Sequence, residues 1–497
     1  MKTRILALLC LVSQLLAACG ESDEPVNDNT EVTTETTAET QRDNIPEGTD
    51  LGGVTIRVYT RGDTNDTEFD AEATGDIVDD AIYNRNRTIE ERLNVTLEYF
   101  SNTTEDFWGD RNIYMDTVRS SVMANDGSID IAAGLSLMMP FLAEEGLFYN
   151  LLAEDVPYLD FTSPWWSESM INELAVNDKL YFASGEASLG VIKGMMCFYF
   201  NKSLISDLQL EDPYELVTND SWTLDKFGEM AAQAYNDING DSTIDPSDRF
   251  GFIIANENHA SNFLNSSELR VTRMNDDGIP EMALGEEKVV DLVSRLSTIM
   301  SDLGSAVVFD GKTEYSTVFE EGRALFSTGE FSNAANFREM NFDFGVIPYP
   351  KYDENQTEYY TTARSTYSCF GIPITADKTN CAAVLEAMAS ESYYQVTPAY
   401  YEKALKVKYS RDDISSQMFD LIRDGVVYDF GTVFSQVLST ADGTGINVKF
   451  RQTICNGEDD WATKWAQYES AVTEKLKLTI DTLEPVHTNI ASISIEK

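Results

Sequence analysis

Between residues 54 and 133 the chain changes hydrophobic period four times in a fixed order. Val54-Thr-Ile-Arg-Val-Tyr59 alternates and is β-branched, so it reads as a strand. Residues 76–93 place Ile77, Ala81, Ile82, Ile89 and Leu93 largely on one helical face, with Arg and Glu elsewhere. Val95-Thr-Leu-Glu-Tyr-Phe100 is the next strand, Ile113 to Met123 a second amphipathic stretch, and Ile129-Asp-Ile-Ala-Ala133 a short buried strand. Strand, helix, strand, helix, strand implies an α/β chain whose parallel sheet is covered by helices. Sites in such sheets lie beyond the carboxyl ends of the strands. The loops after Tyr59 and Ala133 are therefore the first places to look.

About 445 residues follow the first 50, too many for one ordinary core, so two lobes or more are expected. Lys179–Ala183, Met195–Lys202, Phe250–Ile254, Ala324–Phe326 and Phe344–Ile347 read as further strands. Helices are expected from Leu224 to Tyr235 and over 286–302. Near the C-terminus Trp461, Trp465, Tyr468, Val472, Leu476 and Ile480 form one wide apolar helical face. Docking of that face against a lobe is the preferred reading over recognition of a partner.

The chain carries 84 Asp and Glu against 36 Lys and Arg, a net charge near −48. That excludes nucleic acid and anionic lipid, which need a basic footprint. It does not argue for a cationic ligand, because diffuse acid is mainly a solubility property. Two histidines, no HExxH and no GxSxG leave no catalytic constellation, and Gly443-Thr-Gly445 is too short for a phosphate loop. A paired-carboxylate hydrolase has candidates only through the abundance of acids. Cys197, Cys369, Cys381 and Cys455 show no CxxC spacing. They allow three full pairings, and a buried free thiol suits each equally well.

The N-terminus adds a location. Lys2 and Arg4 precede an apolar run from Ile5 to Leu16, which fits a secretory segment rather than a spanning helix. Leu16-Ala-Ala-Cys19 then resembles the lipobox of bacterial lipoproteins, which implies a signal peptide over 1–18 and lipidation of Cys19. Residues 19–50 would be the lipidated terminus and a disordered acidic linker, too polar to offset its ordering entropy. About 30 flexible residues give an r.m.s. reach of about 30 Å. An extracytoplasmic body tethered to the membrane only by lipid is expected.

Several blocks now carry a family resemblance. They are Asp80-Ala-Ile-Tyr-Asn-Arg-Asn-Arg87 before Leu93-Asn-Val-Thr96, Trp165-Trp166 before Lys179–Glu186, and Met195–Leu204 leading to Trp222–Phe227. Phe319–Phe326, Phe344–Pro350, Ser368–Ile374 and Ala383–Ala387 complete the set. Their order resembles the extracellular solute-binding proteins of ABC importers, in the sugar-binding family that includes maltose-binding protein. The resemblance implies a two-lobed periplasmic-binding-protein type II fold with an interlobe cleft and hinge crossovers. It places the first lobe at 51–190 plus 320–380 and the second at 191–319 plus 381–497, with crossings near 187–195, 305–325 and 375–382. It implies a monomer that binds a small polar solute, most readily a sugar or oligosaccharide, and closes for an ABC permease. A secreted glycan hydrolase and a calcium-dependent surface module are the rival classes.

A sugar needs flat apolar surfaces for its ring faces and planar polar groups for its hydroxyls. The loops aimed at an interlobe cleft offer Arg61, Asp63, Ser136, Glu186, Glu330, Phe331 and Tyr367. Trp165 and Trp166 are also candidates, although adjacent tryptophans cannot easily both face a cleft. A separate motif stands on its own chemistry. Asp237, Asn239, Asp241, Thr243, Asp245 and Asp248 occupy positions one, three, five, seven, nine and twelve of a calcium-type loop. Ser242 stands where such loops carry glycine, and Asp248 where they carry the longer Glu. A structural calcium ion is expected there, with a polar turn as the alternative.

Overall fold

The computed structural model describes residues 43–302, 306–307, 317–410 and 412–483. The signal segment, Cys19 and the linker up to residue 42 lie outside the described residues. The linker reaches less far than expected, because its last residues are docked. Ile45 is fully buried, and Asp43 accepts from Arg92 Nη2 at 2.5 Å and from Ser390 Oγ at 2.9 Å.

Among the described residues eleven strands occur in chain order: β1 Val54–Tyr59, β2 Val95–Phe100, β3 Ile131–Leu135, β4 Met196–Asn201, β5 Phe250–Ile254, β6 Thr272–Met274, β7 Pro280–Met282, β8 Ala306–Val307, β9 Ala324–Glu330, β10 Phe344–Ile347 and β11 Ser368–Gly371. One sheet has the order β11-β3-β1-β2 and a second the order β10-β4-β9-β5-β8. β6 and β7 form a separate hairpin. β1 is parallel to both β2 and β3, as the crossover pattern requires, and β11 closes the first sheet antiparallel to β3. Each crossover helix carries the same punctuation. Asp76 caps Ile77–Leu93 through Val78 N, and Asp106 caps Phe107–Ala124 through Gly109 N. Asn94 and Asn125, both at φ 50°, end those helices in the left-handed region.

The second sheet is packed by aromatics. Phe198 of β4 stacks on Phe252 at 5.3 Å and meets Phe227 and Tyr349 edge-on at 5.3 and 4.6 Å. The helix Leu224–Ala234 lies so close to β5 that a Cβ on Gly251 would sit 2.0 Å from Ala231 O. A glycine is required at that crossing.

The expected lobe boundaries differ from the observed strand pairing. β9 lies between β4 and β5, and β10 pairs with β4, so residues 320–350 stay in the second lobe. The sequence showed only Ala324–Phe326 as strand-like, yet the run is buried almost to Glu330, as a central strand must be. The return to the first sheet comes at 361–368. The helix Lys378–Glu391 then packs on Ile77–Leu93, so the stretch after 381 begins in the first lobe, and Asp413–Asp424 lies against β10. Lys179–Ala183, read as a strand, makes only isolated bridges, at Val176–Lys179 and Ala183–Phe370.

The C-terminal helix Trp461–Leu483 docks its apolar face as expected, with Trp461, Trp465, Val472 and Leu476 buried. Trp461 Nε1 donates to Leu284 O at 2.9 Å in the second lobe. Its far end reaches the first lobe, where Thr479 Oγ1 donates to Glu144 at 2.6 Å and Tyr181 OH to Leu483 O at 2.9 Å. Among the described residues no helix is long and apolar enough to cross a membrane. Cys197, Cys369, Cys381 and Cys455 are buried free thiols, each pushed up by burial and so held as unreactive thiol.

Candidate functional site

The crossing segment Thr361–Tyr367 gathers groups from both lobes. Arg61, just beyond β1, donates to Thr366 O at 2.8 Å and pairs with Asp63 at 3.1 Å. Ser136, just beyond β3, donates to Ser365 O at 2.9 Å, and its amide donates to Tyr367 O. From the second lobe, Glu330 at the end of β9 accepts from Arg364 Nη1 at 3.1 Å. His259 fills the other side: its ring nitrogens lie 3.0 Å from Glu330 Oε1 and 3.0 Å from Thr328 Oγ1. Burial alone would raise the Glu330 carboxyl, but His259 and Arg364 outweigh it and hold it below the usual range. Asp63 goes the other way, raised by burial against the pull of Arg61. Tyr367 is buried and packs edge-on to Tyr428 at 5.9 Å. The strand ends of both sheets thus converge on one segment, as the carboxyl-end rule requires.

Beside this segment lies a narrow polar seam. Leu137, Asn258, Ser261, Asn265, Thr362, Ser365, Asn447 and Arg451 are among its lining residues. Asn265 Oδ1, Asn447 Oδ1 and Arg451 Nε are buried there with no hydrogen-bond partner among the described residues. Native interiors leave few polar atoms unmet, and such groups call for an occupant. The set mixes acceptors and donors, which suits a hydroxyl-bearing molecule better than a simple ion. The seam encloses about 30 Å³, room for about one water. A sugar ring enters only if the lobes part.

The structure does not bring every candidate to this place. Trp165 and Trp166 both turn into the first lobe, where their Nε1 atoms donate to the Glu386 carboxylate at 3.1 and 2.8 Å. Glu186 is held by Arg423 at 3.0 Å and by Thr397, and burial raises its carboxyl. Phe331 is fully buried, edge-on to Phe419 at 4.8 Å. These four stabilise the packing of the 378–424 segment. Asn265, Asn447 and Arg451 were missed because no motif marks them, and the last 60 residues add little to the family resemblance.

The Asp237–Asp248 loop is spent on its own backbone. Asp237 accepts from Gly240 N at 2.6 Å and Ser242 N at 2.8 Å, and Asp241 accepts from Thr243 N at 2.7 Å. Asn239 Oδ1 accepts from Asp241 N, Asp245 from Ser247 N, and the buried Asp248 from Ile238 N and Asp245 N. Ser242 takes φ 65°, the left-handed conformation for which calcium loops keep glycine. The oxygens are not gathered: among the described residues no group of three His, Cys, Asp or Glu is placed to hold an ion.

No protein-family model and no curated protein matches the chain. Solved structures do. A cyclic α-maltosyl-1,6-maltose binding protein from Arthrobacter globiformis is 13% identical, with 86% of this chain and 99% of that one covered at a TM-score of 0.53. A sugar transporter from Rhizobium etli in an open conformation is 13% identical, with 87% and 100% covered at 0.53. The maltose-binding periplasmic protein MalE from Listeria monocytogenes, in complex with maltose, is 14% identical, with 88% and 99% covered at 0.50. The fold is therefore the two-lobed type II periplasmic-binding fold, in which crossings join the lobes and a cleft lies between them.

Proposed function

We propose that the chain is an extracytoplasmic receptor that binds a saccharide between its lobes and presents it to an ABC import permease. The observation that carries this is the interlobe seam with its unmet acceptors and donors at the converging strand ends. The fold supports it, and the Arthrobacter and Listeria proteins are named for maltosyl ligands, which makes glucans the first class to test. A ligand touching both lobes favours the closed state by its differential affinity. Calorimetry of the purified protein against a glycan panel is expected to show one-to-one binding with a thermal shift and no products. Turnover of the glycan would replace the receptor with a hydrolase.

The proposal includes a lipid anchor at Cys19. In Cys19→Ser the protein is expected in the soluble extracellular fraction or as unprocessed precursor. A variant with wild-type mass that stays on the membrane removes Cys19 from the anchor.

It also includes a structural calcium ion in the 237–248 loop, supported by the spacing of Asp237, Asn239 and Asp241 and by the left-handed Ser242. An ion would draw those oxygens inward from the amides they now accept. With a dissociation constant of order 10⁻⁵ M, millimolar calcium would add about 2.7 kcal/mol. Chelator is expected to lower Tm in wild type and to have no effect in Asp241→Ala. Equal wild-type Tm in calcium and in chelator leaves only the polar turn.

A further inference from the structure

A second cavity, of about 730 Å³, shares the crossing chains but not the polar seam. Ser169 and Glu173, on the helix Glu168–Leu174 that follows the two tryptophans, form its first-lobe wall. Arg270, Arg273 and Lys288 lie on the second-lobe wall, and Tyr360 and Tyr428 on the crossing chains. Its size suits a small oligosaccharide.

The charges in it are unusual for so acidic a chain. Arg273 is matched by Glu286 at 2.9 Å. Lys288 lies 4.3 Å over the Tyr352 ring. Arg270 is half-buried and lies over the Tyr360 ring at 5.9 Å. Its hydrogen bonds run only to the backbone carbonyls of Leu269 and Asn265, at 2.8 and 3.3 Å. Among the described residues no carboxylate lies within ion-pair distance of it, although Asp429 and Glu173 are near enough to act on its charge. The Tyr428 hydroxyl, on a residue only 3% exposed, makes no hydrogen bond of good geometry among the described residues, with Ser167 the side chain that bears on it. Burial, helped by the negative charge of Asp429, pushes Glu173 opposite up to about 7 against the pull of Arg270, the Phe430 amide and Arg273, so near neutral pH it is partly an O–H donor rather than a repelling anion. Glu268 is the remaining acid on the rim.

We propose that this cavity is a binding site for a carboxylate-bearing saccharide, with the Arg270 guanidinium gripping the carboxylate and Tyr428 donating to the same ligand. A planar fork facing a planar carboxylate is the geometry arginine serves best. Because Glu173 and Ser169 belong to one lobe and Arg270 to the other, an occupant would bridge the lobes. The site is separate from the polar seam and does not require that the seam bind sugar.

The test is calorimetry on the full-length mature protein with trigalacturonate, a diglucuronate and sialyllactose, each beside its neutral counterpart. At least one acidic probe is expected to bind tenfold or more tighter than its neutral partner. Arg270→Gln should remove that preference, and Arg270→Lys should recover part of it. The preference should weaken as pH rises through 7, when Glu173 ionises and repels the probe, and Glu173→Gln should flatten that profile. If no acidic probe outbinds its neutral partner, or if a correctly folded Arg270→Gln binds as wild type does, the proposal is overturned. Acidic probes binding through Arg270 while every neutral glycan fails would sink the seam reading and leave this one standing. The reverse pattern would do the opposite.

Discussion

Glu386→Ala is expected to destabilise the first lobe by about 3 kcal/mol, a large fraction of the 5–15 kcal/mol that holds a typical fold. Three donors converge on this fully buried carboxylate: Trp165 Nε1, Trp166 Nε1 and Asp160 N at 3.3 Å. Removing the acceptor leaves them unmet in the interior, at about 1–3 kcal/mol each, partly offset by no longer burying a charge. The carboxyl itself is raised by burial to about 7, against the pull of the two indoles. A folded pKa above the unfolded one means the folded state holds the proton more tightly. The group's contribution is therefore complete below about pH 4.5 and is lost as pH rises through 7. A rise of that size corresponds to about 3 kcal/mol. Urea unfolding followed by tryptophan fluorescence at pH 5 and pH 8 should show the loss in wild type and a flatter profile in Glu386→Gln. Identical pH profiles would mean that the indoles are not gripping an ionisable Glu386.

The double variant Asn447→Ala, Arg451→Ala is expected to lose about 100-fold in affinity for whichever glycan the wild type binds. Arg451 is held from behind by Glu257 at 2.9 Å, which leaves Nε facing the seam. A hydrogen bond to a charged group is worth about 1.5–3 kcal/mol and a neutral one about 1, and each 1.4 kcal/mol is tenfold. Neither change should move Tm as far as Glu386→Ala, because Asn447 Oδ1 and Arg451 Nε are unmet before the ligand arrives and only the Arg451–Glu257 pair is lost. Wild-type affinity in the folded double variant would take the ligand out of the seam.

How far the sequence could be read follows from what each feature depends on. β1, β2 and the two crossover helices were legible because their apolar periods are local. The ends of β1 and β3 directed attention to Arg61 and Ser136, and both touch the 361–368 crossing. The crossing itself was not legible. Thr361–Thr366 is mostly polar and irregular, and it is held by side chains more than 100 residues away, such as Arg61 and Ser136. Trp165 and Trp166 were misplaced because aromatics before a crossover suit a sugar face as well as a core. What decides between them is Glu386, some 220 residues later, an acid that nothing local marks as buried.

The pairing of β11 with β3 has a consequence for how the molecule is made. β4, β5, β9 and β10 all fall within 196–347, so the second sheet can assemble from one continuous stretch. The first sheet cannot, since some 230 residues separate Leu135 from its partner Ser368. At a synthesis rate of about 5–20 residues per second, β3 waits roughly 10–50 s for its neighbour. During that interval its buried residues, Ile131 to Leu135, form an open edge able to pair with another chain. The newborn polypeptide is thus most exposed to aggregation in its amino-terminal half, and a holding chaperone would be needed there longest.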